Sequence, residues 1–286
     1  MRVKKFLATI CAAALLMTGC GGEQLADKPG NNFSGESVKL GMLTPLNADE
    51  QKFDGILTTI EEKTGLKIAH HLPKFYDSLK TMQMGIESGQ VEEISLYSNV
   101  AKYLVATNDK FEIVQDDALS KINYSFCFAV RKDDAQLKAD LDKIVSDMKS
   151  DGTLDKLVDE YITNVKADNI PKVDIPKIDG AETIKVGITG DLPPLDLILP
   201  DNSPAGFNTA MLAEIGKRLN RNIEVVQIES GARAAALNAN QIDVVFWAIV
   251  PATEGVPADI DKPEGLDLSE SYFKDNVAHI KLKSDK

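Results

Sequence analysis

The sequence predicts an α/β protein built in two parts. Strands alternate with helices from residue 38 to 162, and the same alternation resumes at 184. Between them 163–183 (TNVKADNIPKVDIPKIDGAET) holds no sustained period and carries Pro171 and Pro176, so it reads as a linker. Strands that alternate with helices imply parallel sheets with right-handed crossovers, and binding sites beyond the carboxyl ends of the strands.

In the first part a strand is expected over 38–43. A helix over 49–64 follows, because Phe53, Ile56, Leu57 and Ile60 share one face and Gly65 stands just past its end. A second helix over 77–88 is stopped by Gly89, followed by a strand over 91–97, a helix over 99–106 and strands over 111–114 and 125–131. Two amphipathic helices over 135–149 and 153–162 are broken at Asp151-Gly152. The second part reads as strand 184–189, helix 209–219, strand 223–227, a short helix over 232–238, and strands 243–247 and 278–282.

The residues ahead of the first strand belong to a different class of segment. Arg2, Lys4 and Lys5 open it, an apolar run extends from Phe6 to Met17, and Thr18-Gly19-Cys20 closes it. A basic start, an apolar stretch too short to span a bilayer and small residues at the cut make an export signal over 1–19. Residues 20–37 (CGGEQLADKPGNNFSGES) are polar and Gly-rich, which suits a flexible tether. A formal net charge of −12 argues against nucleic acid and anionic headgroups as partners. Of three cysteines only Cys127 lies in the folded body, in the apolar run from Tyr124 to Val130, so no disulfide is expected there.

Leu15-Leu16-Met17-Thr18-Gly19-Cys20 resembles the bacterial lipoprotein signal, which implies a diacylated Cys20 and anchoring to an extracytoplasmic membrane face. Within 184–273, Gly187, Gly190-Asp191 with Pro193-Pro194, Gly206-Phe207, Ile242-Asp243-Val244-Val245, Glu254 and Ser269 through Phe273 resemble the first lobe of the family-3 extracytoplasmic solute-binding proteins, receptors of ABC importers. Asp77-Ser78-Leu79, Gly89-Gln90-Val91, the segment Val100-Ala101-Lys102-Tyr103-Leu104, Phe128 through Asp133 and the run Gly152-Thr153-Leu154 resemble the family's second lobe and closing helices, here placed ahead of the first. The resemblance implies a two-lobed, periplasmic-binding-protein-like (type II) fold with mixed sheets and a hinge, circularly permuted. Residues 38–162 would form the second-lobe-like segment, 163–183 would join the ancestral termini, and 184–286 would form the first-lobe-like segment.

The same resemblance nominates a ligand site. Ser230-Gly231-Ala232-Arg233 matches a Ser-x-x-Arg pattern of acidic amino-acid receptors, so hydroxyl, amides and guanidinium could converge on one carboxylate. Asp191, Asn47, Leu195, Phe207, Trp247 and Tyr97 complete the expected lining. The chain departs from the pattern at four places. Gly255 replaces the clamping arginine, Tyr97 the ammonium-binding aspartate, Pro45-Leu46-Asn47 a Gly-Thr-Thr turn, and Leu195 an aromatic.

No cofactor or metal is expected. Adjacent His70-His71 cannot both face one ion from a regular strand or helix and read as loop histidines, while Glu92-Glu93 and Asp116-Asp117 read as solvated turns. The function expected is a monomeric, lipid-anchored, non-enzymatic receptor passing a small anionic or zwitterionic solute, an amino acid or related carboxylate, to an ABC permease. A transporter-independent sensor or degenerate binding module is the alternative. A periplasmic dehydratase is a third, for which only Glu254 and Asp191 offer acid or base groups.

Overall fold

The computed structural model describes residues 37–68, 70–117, 119–166, 170–252, 256 and 261–284. The signal segment, Cys20, the tether up to residue 36, Glu254 and Gly255 lie outside the described residues. Among the described residues no helix is long and apolar enough to cross a membrane.

The first part begins with β1 (Val38–Leu43), α1 (Glu50–Thr64), β2 (His71–Tyr76), α2 (Leu79–Glu87), β3 (Glu93–Tyr97), α3 (Ser98–Thr107) and β4 (Phe111–Ile113). Local chemistry sets α1 at both ends: Asp49 accepts the Lys52 amide at 2.7 Å, and Gly65 closes the helix with φ +73°. Its buried face is Phe53, Ile56, Leu57 and Ile60, as the apolar period requires. The part ends with β5 (Asn123–Arg131), α4 (Ala135–Ser150), α5 (Thr153–Val158) and a π-type turn over Asp159–Thr163. Cys127 is buried on β5, where burial pushes its thiol up to about 11.

The second part comprises β6 (Thr183–Ile188), a small antiparallel sheet of β7 (Asp191–Leu192), β8 (Asp196–Ile198) and β9 (Pro204–Ala205), then α6 (Phe207–Leu219) and β10 (Asn222–Gln227). After it come α7 (Arg233–Asn238), β11 (Val244–Pro251), β12 (Leu266–Leu268) and β13 (Phe273–Leu282). Gly206 precedes α6 with φ +88°, and a Cβ there would lie 2.5 Å from the Pro194 carbonyl oxygen. Only glycine fits both conditions.

The principal sheet runs β10-β6-β11-β5-β13-β3-β1-β2, with β12 beside β5 and β4 beside β13. On one side β10, β6 and β11 are parallel, and on the other β3, β1 and β2 are. β13 joins them: Phe273 through Asn276 pair with β5, and Val277 through Ile280 pair with β3. β5, from the first part, therefore lies between β11 and β13 of the second. Helices α4 and α5 pack on α6, where Arg218 donates to Asp151 and Thr153 at 2.9 Å each. The α/β class read from the alternation is the class observed, as a mixed sheet with two parallel halves.

Two departures follow from physics that local pattern does not carry. Strand β2 (HLPKFY) stands where the sequence pattern assigns no element, and it is the edge of the sheet, where its Pro73 is tolerated. Thus His71 is a buried strand residue, not a loop histidine, and Glu93 opens β3 rather than a solvated turn. The second departure is β13, which begins five residues before the expected 278 because Phe273 and Asn276 pair with a distant strand.

Asp196 gives a pH-dependent expectation for this half. Fully buried, it accepts Thr189 N at 3.1 Å, Thr189 Oγ1 at 3.2 Å and Gly190 N at 3.2 Å through one oxygen, while its other oxygen has no partner among the described residues. Burial raises its carboxyl from 3.8 to about 6. Between those values the folded chain holds a proton that the unfolded chain has released, so stability from this group falls as pH rises through the window. Asp196→Asn keeps an accepting oxygen without the charge. It is expected to raise stability at pH 7 by about 2 kcal/mol and to change it little near pH 4, read by urea unfolding at both values. A variant equally destabilised at both would sink this account.

Candidate functional site

The carboxyl ends of the parallel strands from both sheet halves face one another. From one side come Thr44 and Pro45 after β1, Asp77 after β2 and Tyr97 closing β3. From the other come Thr189 and Asp191 after β6, the Ser230–Ala232 turn after β10 and Trp247 within β11. This convergence is what the crossover topology dictates. It encloses a cavity of about 90 Å³ whose wall includes Thr44, Tyr97, Thr189, Ser230, Arg233 and Trp247.

Hydrogen bonds cross between the halves around this cavity. Ser230 N donates to the Asp77 carbonyl at 3.0 Å, Ser230 Oγ to the Thr44 carbonyl at 2.9 Å, and Gly231 N to Asp77 Oδ1 at 3.3 Å. A Cβ on Gly231 would meet that same Asp77 oxygen at 2.7 Å, so the close approach needs glycine here. On another side Leu79 N donates to Asp191 Oδ2 at 2.6 Å. A third crossing is made by Asp261, which accepts Leu46 N at 2.9 Å and Asn47 N at 3.0 Å. The cleft is closed upon itself.

Arg233 is the most informative group in it. It is 4% exposed and its N–H groups meet three carbonyls: Ser230 at 2.9 Å through Nε, Trp247 at 2.6 Å through Nη1 and Thr44 at 3.3 Å through Nη2. Among the described residues no carboxylate lies within ion-pair distance of it. Burial lowers its pKa, with Tyr97 and Asp261 opposing, but a guanidinium stays charged. A desolvated cation held by neutral carbonyls is an electrostatic vacancy for an anionic group.

The expected site residues divide by position. Ser230, Arg233, Trp247 and Tyr97 line the cavity. Trp247 stacks near Tyr97 with centroids 6.0 Å apart, and its indole N–H reaches the Asn208 amide oxygen at 2.6 Å once that amide is oriented to suit both neighbours. Leu195 and Phe207, the latter the first residue of α6, are wholly buried in the core and do not line the cavity. Backbone bonds tie the Pro-Pro turn to the helix start: Phe207 N donates to the Pro194 carbonyl at 3.3 Å and Asn208 N to the Leu195 carbonyl at 2.8 Å. Asn47 is exposed, its amide donating to the Lys262 carbonyl at 3.1 Å. Asp191 meets the amino end of α2 rather than the cavity. Sequence reasoning passed over Thr44, Asp77, Thr189 and Asp261, whose roles arise from pairings more than a hundred residues distant in chain for three of them.

Asp191 supports a measurable expectation. Its carboxylate supplies charge and an acceptor at the start of α2, a helix whose own cap is Ser78. Asp191→Ala is expected to cost about 1 kcal/mol and to speed hydrogen exchange at Leu79. Unchanged exchange at the α2 amino end would refute the link.

Residues 184–254 match the family model of bacterial extracellular solute-binding proteins, family 3. No curated protein matches the chain in sequence. Among solved structures it is similar to the Bordetella pertussis BvgS periplasmic domain, with 12% identity, a TM-score of 0.39, and coverage of 87% of this chain and 38% of that one. It is also similar to a ligand-binding component of an ABC-type import system from Staphylococcus aureus (9%, TM-score 0.41, 87% and 66%). A third is the GluR0 ligand-binding core from Nostoc punctiforme (10%, TM-score 0.35, 86% and 85%). This chain thus spans about two-fifths of the first of these structures and two-thirds of the second. Residues 184–254, which match that family model, supply Thr189, Asp191, Ser230, Arg233 and Trp247 to the closed cleft.

Proposed function

We propose that this protein is an exported, lipid-anchored receptor that captures a small anionic or zwitterionic solute between its two sheet halves and presents the closed form to an ABC importer. One observation carries the reading. A buried guanidinium without a carboxylate partner among the described residues faces a cavity at the carboxyl ends of strands from both halves. A bound carboxylate would supply the missing charge, and β13, the strand common to both halves, is the natural flexing element. The role proposed is capture, and Asp191, one of the two acid or base candidates, accepts the Leu79 amide of α2 through one oxygen.

The proposal includes a circular permutation of the family's order, joined through 163–183. Its support is that β5 pairs with β11 and β13 while α4 and α5 pack on α6. It also includes acylation of Cys20, motivated by Thr18-Gly19-Cys20 behind a basic, apolar segment. Cys20→Ser should release the protein from the membrane fraction or leave its precursor uncut.

The second reading, a sensor without a transporter, is favoured by the cavity itself. About 90 Å³ is small beside the ~300–1,000 Å³ of ordinary ligand pockets, and the cleft is already latched by its own hydrogen bonds. A thermal-shift screen of amino acids and small carboxylates tests capture. A solute at a hundredfold its dissociation constant should stabilise by about 2.7 kcal/mol. Stabilisation by none of these solutes would overturn the receptor reading. Co-purification with a permease then separates importer from sensor.

A further inference from the structure

A cluster apart from the cleft brings together three groups that the chain keeps far apart. His71 opens β2 at 3% exposure, Glu93 opens β3, and His279 lies on β13 at 2% exposure. One ligand atom from each of these three side chains lies within 4.8 Å of the other two. The His71 and His279 rings meet edge to face with centroids 4.9 Å apart. Beside them is a cavity of about 20 Å³, otherwise walled chiefly by apolar chains such as Phe53, Ile60 and Ile68. That volume suits one water or one ion.

The hydrogen bonds set which atoms can ligate. His71 Nδ1 lies 2.9 Å from the Ile68 carbonyl, which only accepts, so Nδ1 bears the proton and Nε2 presents a lone pair. A backbone carbonyl holding the second nitrogen is the usual support of a metal-ligating imidazole. His279 Nδ1 lies 2.9 Å from Glu93 Oε2. Two ligands with bonds of about 2.0–2.2 Å to one ion sit roughly 3.3 Å apart, so an ion can take the place of the proton shared by that pair with little movement.

We propose that His71 Nε2, Glu93 and His279 form a binding site for a borderline divalent cation, with Zn²⁺ the best match. Two imidazoles and one carboxylate are a donor set that suits Zn²⁺ and is too nitrogen-rich for Mg²⁺ or Ca²⁺. The expectation of no metal considered His70-His71 as neighbours; the fold instead pairs His71 with residues of two other strands. The ion would tie β2, β3 and β13 together. It would also stand behind the ligand cavity, because Ser95, Tyr124 and Val277 line both spaces. The site is independent of what the cleft binds.

The test uses the mature chain without a polyhistidine tag, stripped with chelator and titrated with Zn²⁺ and Co²⁺. One equivalent should bind, Zn²⁺ should raise the melting temperature by several degrees, and Co²⁺ should give the visible absorption of a four-coordinate nitrogen and oxygen site. Glu93→Gln and His71→Asn should each weaken binding tenfold or more, while Glu92→Gln, the neighbouring acid, should not. Absence of saturable binding by the unmodified protein, or affinity unchanged in both variants, would overturn the site and leave a His279–Glu93 hydrogen bond. If either variant fails to fold, the Co²⁺ spectrum of the unmodified protein decides.

Discussion

Phe126→Ala is expected to destabilise the protein by about 3–5 kcal/mol, because the ring is fully buried where both sheet halves meet. Phe126 stands edge-on to Tyr97 and to Trp247, each with centroids 4.7 Å away, and it stacks on Phe273 at 5.6 Å. Those partners come from β3, β11 and β13, so one side chain is shared by strands on both sides of the joint. A β-strand at the sheet centre cannot collapse to fill the void, since Phe126 is locked in register with Ile249 and Phe273. Urea unfolding should show a lower midpoint with an unchanged slope. Solute binding should also weaken, because Tyr97 and Trp247 line the cavity and lose the ring that spaces them. A loss below about 1 kcal/mol would show that this joint is plastic, contrary to the packing argument.

What the sequence made legible was local. Helix α1 carried its own cap at Asp49, its stop at Gly65 and its apolar face, and all three operate in the fold. The Ser230 and Arg233 spacing likewise brings both residues to the cavity wall. Less legible was anything fixed by a partner far along the chain. Asp261 meets the backbone at Leu46 and Asn47 across more than two hundred residues, and Asp77 meets Gly231 across more than one hundred and fifty. Neither carboxylate differs in sequence from a solvated loop acid. Leu195 and Phe207 illustrate the converse. An apolar residue beside a site turn looks the same whether it lines the site or packs in the core, and here full burial off the cavity wall assigns both to the second role. The strand β2 was hidden because an edge strand needs only one of its two rows of backbone groups, which lets Pro73 sit in it.

Arg233→Ala is expected to raise the dissociation constant of an anionic solute tens- to hundredfold, the equivalent of about 2–3 kcal/mol for a charge-assisted bond in a desolvated cleft. Stability of the solute-free protein should fall by about 3 kcal/mol as well, since the carbonyls of Ser230, Trp247 and Thr44 lose their shared donor. Relief of a buried charge and water entering the enlarged space offset part of that loss, which keeps it well below the sum for three orphaned acceptors. Arg233→Lys separates the two roles. An ammonium keeps the charge but cannot span three carbonyls in a plane, so it should recover part of the affinity and little of the stability. Because the guanidinium stays charged throughout, any pH dependence of affinity between pH 5 and 8 should come from groups other than Arg233, Asp196 first among them. Calorimetry with the solute found by thermal shift, paired with urea unfolding of each variant, reads both effects. Affinity that survives Arg233→Ala while stability falls would make Arg233 a strut tying Thr44 to Trp247, and the anionic group of the solute would then have to be met elsewhere in the cleft.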